Sequence, residues 1–383
     1  MIEKSNPKFD LSLGKEWAVL EAIAAGPEQL ENSVFLDTVF ASEIDWEEIV
    51  FQARRHKVLN LLGKEVLARP AIHFPPESLG LFREQLRLSQ QKIRTYRLEA
   101  ARIAESFDNH GLVICGTKGI VFEGSYYDGG GSRSLNDMDF IIKPESADAA
   151  KALMESQGYC EGEYNAGSES IIPLDRKQKI AYKLSPDHLP PLVKIVEEDR
   201  RIGVVVDFAF TLSWWGAPYR VLINDVIDEL YLYQFPDTRK LSIHRMSFRY
   251  EFLAAVLHLF REAWFEHSRS FGLDVTLAKF GDILRMWRRV DDRRIRELRE
   301  VVDRYDLAKP VAWVMEHVDR LFFTDATSQL GLTSVADPVF LNSAHEYSGG
   351  TCRWIGTMRQ RLYCKNRAAL FPSSLSGSGV DLG

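Results

Sequence analysis

The sequence has little of what marks disulfide-rich, zinc-binding or membrane proteins. Its four cysteines form no Cys-x-x-Cys pair and show no zinc-like spacing with histidine. Such cysteine usage suits a reducing compartment, so we expect a cytoplasmic location. No run approaches the roughly 20 apolar residues that span a bilayer, and the N-terminus lacks the apolar segment of a signal peptide. We therefore expect no membrane partner.

The sequence also lacks an excess of basic charge. Lysine and arginine total 48, aspartate and glutamate total 54, and the net charge is −6. A protein that attracts nucleic acid through its net charge is positively charged, so we expect no DNA partner. The 383 residues are too many for one small core and predict two domains or lobes.

What is present is a change of pattern along the chain. Apolar residues recur at helical spacing in the first and last parts, whereas the middle contains short apolar runs bounded by glycine and proline. The sequence therefore predicts an α+β protein in which helical regions flank a small mixed sheet. The predicted parts are an N-terminal helical region 1–110, an α/β core 111–240, a C-terminal helical region 241–370 and a disordered tail 371–383.

Individual elements are also predicted. Residues 77–109 are rich in Leu, Gln, Arg and Ala and predict one long helix. The apolar runs 112–115 and 201–210 have the composition of buried strands. A further strand is predicted over 180–184, and helices are predicted from Ser242 onward.

The first candidate site feature is the turn Gly116-Thr117-Lys118-Gly119, which lies between the predicted strand 112–115 and a short helical segment. A glycine-rich turn exposes backbone N–H groups, and a helix N-terminus adds partial positive charge. The turn is therefore a candidate phosphate site. The signal is weak alone, because strand–glycine–helix junctions are common.

The second feature is the pair Asp137 and Asp139, which runs into an apolar strand. Positions i and i+2 of a strand face the same side, so both carboxylates would project together. Neighbouring carboxylates repel each other unless a cation lies between them, and oxygen ligands of this kind suit Mg²⁺. Two solvated aspartates are the alternative for an isolated Asp-x-Asp. The glycine-rich turn and Arg133 before the pair favour the metal.

Asp207 is the third carboxylate. It directly follows three valines, and an acid on a buried strand is costly unless it is paired or binds a cation. If this strand lies beside the strand of Asp139, the three carboxylates converge and could hold two Mg²⁺ ions about 4 Å apart. The alternative is that Asp207 caps a loop or pairs with an arginine.

Together these residues resemble the uncharacterised nucleotidyltransferases of the polymerase-β-like superfamily, over roughly residues 15–300. Members show a Lys-Gly pair opening a helix, an Arg before Asp-x-Asp, and a later acid on a strand. The superfamily also has a Gly-Gly or Gly-Ser pair some ten residues before the first acid. Gly124-Ser125 has that spacing here, but the Gly116–Gly119 turn is preferred because it lies at a strand end.

The resemblance implies transfer of a nucleoside monophosphate from an NTP to a hydroxyl-type acceptor, with release of pyrophosphate. ATP is the favoured nucleotide, and the acceptor stays open among a small molecule, a peptide, tRNA and a protein. Asp137, Asp139 and Asp207 would be catalytic and would bind Mg²⁺. The implied substrate-binding residues are Gly116, Thr117, Lys118, Gly119, Arg133, Ser134, His258 and Asp282.

Alternatives remain for several of these residues and for the activity. His258 lies on an apolar helix, where a hydrogen-bonded core histidine is more common than a ligand contact, and Asp282 faces the same choice. Lys118 and Arg133 could form ordinary salt bridges. The whole chain could be a catalytically silent NTP-binding scaffold of a biosynthetic complex, or a kinase-like phosphotransferase that releases ADP.

Overall fold

Helices dominate the chain, and short strands gather in its middle. The computed structural model describes residues 11–26, 29–184, 187–197, 200–214, 216–236, 241–270, 272, 274–346 and 350–371. The predicted disordered tail lies outside these residues except for Phe371. The α-helices of the described residues are α1 Lys15–Ala25, α2 Leu30–Phe40, α3 Trp46–Arg55, α4 Leu59–Leu67, α5 Pro76–Asn109, α6 Gly119–Ser125, α7 Ala147–Ser156, α8 Arg176–Leu184, α9 Ile223–Ile227, α10 Phe248–Trp264, α11 Glu266–Ser270, α12 Leu277–Trp287, α13 Asp292–Arg304, α14 Ala308–Phe322, α15 Ala326–Gln329, α16 Pro338–Leu341 and α17 Met358–Tyr363.

The strands form one large sheet and two small hairpins. They are β1 Cys115–Thr117, β2 Met138–Ile141, β3 Cys160–Glu161, β4 Glu163–Asn165, β5 Ser170–Ile172, β6 Leu192–Glu197, β7 Arg201–Ala209, β8 Tyr231–Gln234, β9 Ser242–Arg245, β10 Ser343–His345 and β11 Thr351–Arg353. The large sheet has the order β3-β6-β7-β2-β1-β9-β8. β2 pairs with β7 and β1 with β9 in parallel, and the other neighbours are antiparallel. The predicted α+β class with a mixed sheet between helical regions is confirmed.

The chain divides into two units. Residues 57–255 contain the large sheet, and residues 1–56 with 256–383 form the other unit, so the division falls within α10. The boundaries predicted at 110, 240 and 370 stay predictions. Within the described residues, none of the helices combines the length and apolarity that crossing a membrane requires.

The long helix α5 covers one face of the large sheet. Phe107 of α5 stacks on Phe208 of β7 with ring centroids 5.7 Å apart, and Phe208 lies 5.9 Å from Phe140 of β2. These rings are fully buried and form the apolar contact between helix and sheet. Gly111, with φ 68°, supplies the left-handed turn after α5 that directs the chain toward β1.

Three sequence expectations about elements are wrong or incomplete. Residues 180–184 belong to the helix α8 and not to a strand. The nine residues of α8 include no buried side chain, and its Arg, Lys, Gln, Ala and Leu residues favour a helix where no packing opposes it. Helices are predicted from Ser242 onward, but the strand β9 begins at Ser242. The strand predicted over 112–115 begins only at Cys115, as β1.

A buried ion pair fixes the glycine-rich loop before Arg133. The carboxylate of Glu123 on α6 binds Arg97 of α5 and also accepts the backbone N–H of Gly131 at 2.6 Å. Arg97 donates in addition to the carbonyl of Gly129 at 3.1 Å. The carbonyl of Gly131 accepts hydrogen bonds from the amide of Asn60 at 3.0 Å and from the hydroxyl of Ser89 at 2.7 Å. The loop is thus anchored by α4, α5 and α6.

The other unit is mainly helical, with the β10–β11 hairpin, and carries its own buried charges. The backbone of α12 passes so close to α1 that a side chain at Gly281 would lie 2.7 Å from the carbonyl oxygen of Ala24. Asp274 is completely buried between Arg361 and Arg367, and this places its pKa below the ordinary value in spite of its burial. The arrangement is a core ion-pair network.

Candidate active site

One face of the large sheet carries a row of polar side chains on three adjacent strands. In the pairing register Thr117 of β1 lies opposite Asp139 of β2, and Asp139 lies opposite Asp207 of β7. Residues directly opposite each other on paired strands point to the same face. The alternating residues Phe140 and Phe208 point to the opposite face, under α5. The structure therefore brings Asp139 and Asp207 side by side.

Asp137 lies just before β2 and is electrostatically part of the same cluster. Its pKa is raised from 3.8 to about 6, first by burial, then by the negative charge of Asp139 and, to a smaller extent, that of Asp207. The cations of Lys118 and Lys57 oppose this shift. Asp137, just before β2, and the strand carboxylates of Asp139 and Asp207 thus repel one another, which is the condition that a bound divalent cation relieves.

Lys118 joins the predicted turn to the carboxylates. Its Nζ lies 2.7 Å from Oδ1 of Asp139. The backbone of Lys118 has φ 47° and ψ −123°, a conformation that favours glycine and costs a residue with a side chain of order 1–3 kcal/mol. A lysine that keeps this strained backbone conformation is consistent with a functional role for its side chain at Asp139.

The predicted turn is shorter than expected, since Gly116 and Thr117 belong to β1 and Gly119 opens α6, which leaves only Lys118 between strand and helix. Gly116 and Gly119 allow close packing around this junction. A side chain at Gly116 would lie 2.5 Å from Ile243 of β9, and one at Gly119 would lie 2.5 Å from Leu135 and 3.0 Å from Nη1 of Arg133. The other candidate pair, Gly124-Ser125, lies inside α6 and not at the end of a strand.

Arg133 lies beside this turn, in the segment between the anchored glycine loop and Asp137. Its guanidinium is 5.6 Å from the ring centroid of Phe122 on α6 and donates to the carbonyl of Ser134 at 3.5 Å. Arg133 and Ser134 are both half-buried. The guanidinium of Arg133 therefore lies next to Gly119, and Ser134 follows Arg133 in the same segment.

Sequence reasoning missed three groups near the cluster. His188 places Nδ1 at 3.2 Å from Oδ1 of Asp207. Lys92 of α5 places Nζ at 3.4 Å from the carbonyl of Asn136, and burial lowers the pKa of Lys92 to about 8 although Asp137 opposes this shift. The positive charge of Lys57 lowers the pKa of Asp137. No local motif marks these residues, because each reaches the cluster from a distant part of the sequence.

His258 and Asp282 belong to the other unit, on α10 and α12. The imidazole Nε2 of His258 lies 3.5 Å from Oε1 of Glu262, whose carboxylate also binds Lys279. Asp282 is buried. Their assignment to substrate binding stays a prediction.

The carboxylate cluster has the donor chemistry for Mg²⁺ but is not preassembled around an ion. Among the described residues, no three His, Cys, Asp or Glu side chains are already grouped as metal ligands. Lys118 and His188 instead contact Asp139 and Asp207. The hydroxyl of Thr117 is buried and, within the described residues, has no hydrogen-bond partner. An oxygen-only set with an unsatisfied hydroxyl beside it fits a hard cation.

The raised pKa of Asp137 predicts a pH-dependent effect of Asp137→Asn on stability. Because the folded-state pKa is above the ordinary value, wild-type stability falls as the pH rises from about 4 to about 6, and the variant escapes this loss. In EDTA the variant should be more stable than the wild type at pH 7.5, by at most about 3 kcal/mol, and no more stable at pH 3.5. Urea unfolding at both pH values tests this, and an equal difference at both would contradict it.

A methyl group at Gly119 should disturb the turn. We expect Gly119→Ala to lower the free energy of unfolding by roughly 1–3 kcal/mol, because the methyl group would overlap Leu135 and displace Arg133. The matched control is Gly80→Ala on α5, where nothing lies within 4 Å of the added carbon. Unfolding in denaturant measures both variants, and a Gly119→Ala protein as stable as the control would refute the packing argument.

The strand-to-helix junction and the carboxylates on adjacent strands of a mixed sheet are the features that the resemblance to nucleotidyltransferases implies. The sequence profile of an uncharacterised nucleotidyltransferase family matches residues 42–323 of the chain. The chain belongs to this family. A comparison with curated proteins finds no match.

Proposed function

We propose that the protein is a Mg²⁺-dependent nucleotidyltransferase that transfers a nucleoside monophosphate, with ATP as the favoured donor, to a hydroxyl-type acceptor. The observation that carries the proposal is the register of β2 and β7, which pairs Asp139 with Asp207, next to the strand-to-helix junction at Lys118. Family membership supports the reaction class and an NTP substrate.

The reaction we propose forms one bond and breaks one. The acceptor oxygen bonds to the α-phosphorus of the NTP, and the bond between that phosphorus and the bridging oxygen toward the β-phosphorus breaks, so pyrophosphate leaves. The hydroxyl proton passes to a carboxylate, and Asp207 is our candidate. Bound Mg²⁺, held by Asp137, Asp139 and Asp207, would supply charge neutralisation at the triphosphate and acidify the acceptor hydroxyl.

The remaining residues of this unit position and neutralise the nucleotide. Lys118 and Arg133 place two cations beside the turn, and a guanidinium can bind phosphate oxygens in bidentate fashion. Gly116 and Gly119 let neighbouring side chains pack closely against the backbone around Lys118. With a nucleotide bound, Lys118 would exchange Asp139 for a phosphate, which leaves that carboxylate available to a cation.

The direct test is mass spectrometry of reactions that contain one of the four NTPs, Mg²⁺ and a candidate acceptor fraction. The expected result is an acceptor whose mass rises by one nucleoside monophosphate, together with pyrophosphate. Pyrophosphate release in buffer alone, with water as a slow acceptor, gives a basal readout. ADP with a phosphorylated acceptor would replace the proposal by a kinase-like reaction.

One alternative has a specific observation in its favour. Lys118 already pairs with the carboxylate of Asp139, and a protein that keeps this ion pair could bind a nucleotide through its phosphates without turnover. This catalytically silent scaffold predicts calorimetric binding of NTP with no pyrophosphate release under any acceptor condition.

A further inference from the structure

We propose that His188 is a positioning residue that orients the carboxylate of Asp207 for metal binding. The inference rests on the proposed function and assigns a role to a residue outside the predicted site. It is carried by backbone pairing, by side-chain distances and by the small size of one neighbour.

The backbone fixes His188 at the end of β7. The N–H of Leu189 donates to the carbonyl of Phe208 at 2.9 Å, and the N–H of Phe210 donates to the carbonyl of Asp187 at 2.9 Å. These bonds place His188 directly opposite Ala209 in an antiparallel bridge. The histidine is thereby attached to the same strand that carries Asp207.

The register also decides where the imidazole points. Side chains opposite each other in an antiparallel bridge share a face, so His188 lies on the face of Ala209. Asp207 is two residues before Ala209 on β7 and shares that face as well. Because Ala209 has only a methyl group, the ring can extend diagonally across it. This is the geometry that brings Nδ1 to 3.2 Å from Oδ1 of Asp207.

Two carboxylates lie beside the ring, and only that of Asp207 is within hydrogen-bond distance. Nδ1 faces Asp207, whereas Nε2 lies 3.8 Å from Oδ2 of Asp187. A carboxylate only accepts hydrogen bonds, so Nδ1 carries the hydrogen that it donates to Asp207. This hydrogen bond holds one oxygen of Asp207 and sets the direction of the other.

A group that orients a ligating carboxylate contributes to metal affinity without touching the metal. Replacement of such a group typically weakens metal binding tenfold to a hundredfold. The expectation for His188 is a loss of that size, because Asp207 would lose the hydrogen bond from Nδ1 that orients its carboxylate beside two more carboxylates. If His188 were needed only for packing, a variant of similar volume would keep its metal affinity.

Two conservative variants separate these roles. The amide of His188→Asn can place its N–H near the position of Nδ1, whereas the amide of His188→Gln falls nearer the position of Nε2. We therefore expect Asn to retain most of the affinity and Gln, despite its closer size, to lose it. His188→Ala gives the full loss, and His73→Ala is the matched control, since His73 is exposed and lies outside the cluster.

The experiment is a titration of the full chain with Mn²⁺, followed by the electron paramagnetic resonance signal of the free ion, with unfolding curves to verify that each variant is folded. The expected result is binding roughly tenfold to a hundredfold weaker in His188→Ala and His188→Gln, within about threefold of wild type in His188→Asn, and unchanged in His73→Ala. Wild-type affinity in a folded His188→Gln protein would overturn this inference alone. Absence of Mn²⁺ binding in the wild type would overturn it together with the proposed metal site.

Discussion

Asp139→Asn is expected to reduce pyrophosphate release on the order of a thousandfold, with little change in fold. Asp139 lies at the centre of the polar row, opposite Thr117 on one strand and Asp207 on the other. Asparagine keeps the shape of the side chain but removes the charge that a cation needs. It also leaves Lys118 without the carboxylate that it contacts at 2.7 Å, so a nucleotide could still bind through its phosphates.

The measurement is initial-rate pyrophosphate release, with calorimetry of NTP binding on the same samples. Asp148→Asn is the matched control, because Asp148 is exposed on α7 and its variant should keep wild-type rates. Near-normal turnover in Asp139→Asn would remove the carboxylate cluster from the mechanism. Loss of nucleotide binding together with turnover would instead indicate that the variant has lost the structure of the turn.

Arg97→Met is expected to lower the free energy of unfolding by roughly 3–5 kcal/mol. Arg97 and Glu123 are both about 98% buried and form an ion pair. Burial raises the pKa of Glu123 even with Arg97 beside it, so its carboxylate is already costly to keep charged. Without the guanidinium, Glu123 would remain buried without its cation. The pKa would rise further, and the destabilisation should grow as the pH increases.

A double-mutant cycle tests this explanation. Arg97→Met with Glu123→Met removes both charges, so its loss should be roughly 1–3 kcal/mol smaller than the sum of the single losses. Urea unfolding of the four proteins measures the coupling, and additive losses would contradict a buried ion pair. Arg87→Met on the same helix is the control, because its partner Glu84 is exposed and no change in Tm is expected.

This ion pair also connects stability with the site. Glu123 accepts the N–H of Gly131, and Arg97 donates to the carbonyl of Gly129. Arg133 follows this loop by two residues, so its position depends on the anchor. A conservative Glu123→Gln variant, which keeps an acceptor for Gly131, should therefore retain more nucleotide affinity than Glu123→Ala, as calorimetry of NTP binding can determine.

Much of the fold was accessible from local patterns. The helix over 77–109 and the strand over 201–210 correspond closely to α5 and β7, because long periodic or strongly apolar segments carry their own signal. The strand predicted over 180–184 is wrong, because these residues belong to the exposed helix α8. Their apolar side chains are not buried in the sheet. β8 and β9 were missed, since short strands near a sheet edge depend on their neighbours for pairing.

The sequence alone determined which residue types are available for chemistry: two aspartates around one apolar residue, a lysine in a glycine-rich turn, and a later aspartate on a valine-rich strand. Only the tertiary structure decided that Asp207 is the strand neighbour of Asp139 and that His188 reaches it across Ala209. The physical reason is that strand order and register are fixed by packing between distant segments. Local spacing sets which face a side chain takes on its own strand, but not which strand lies next to it.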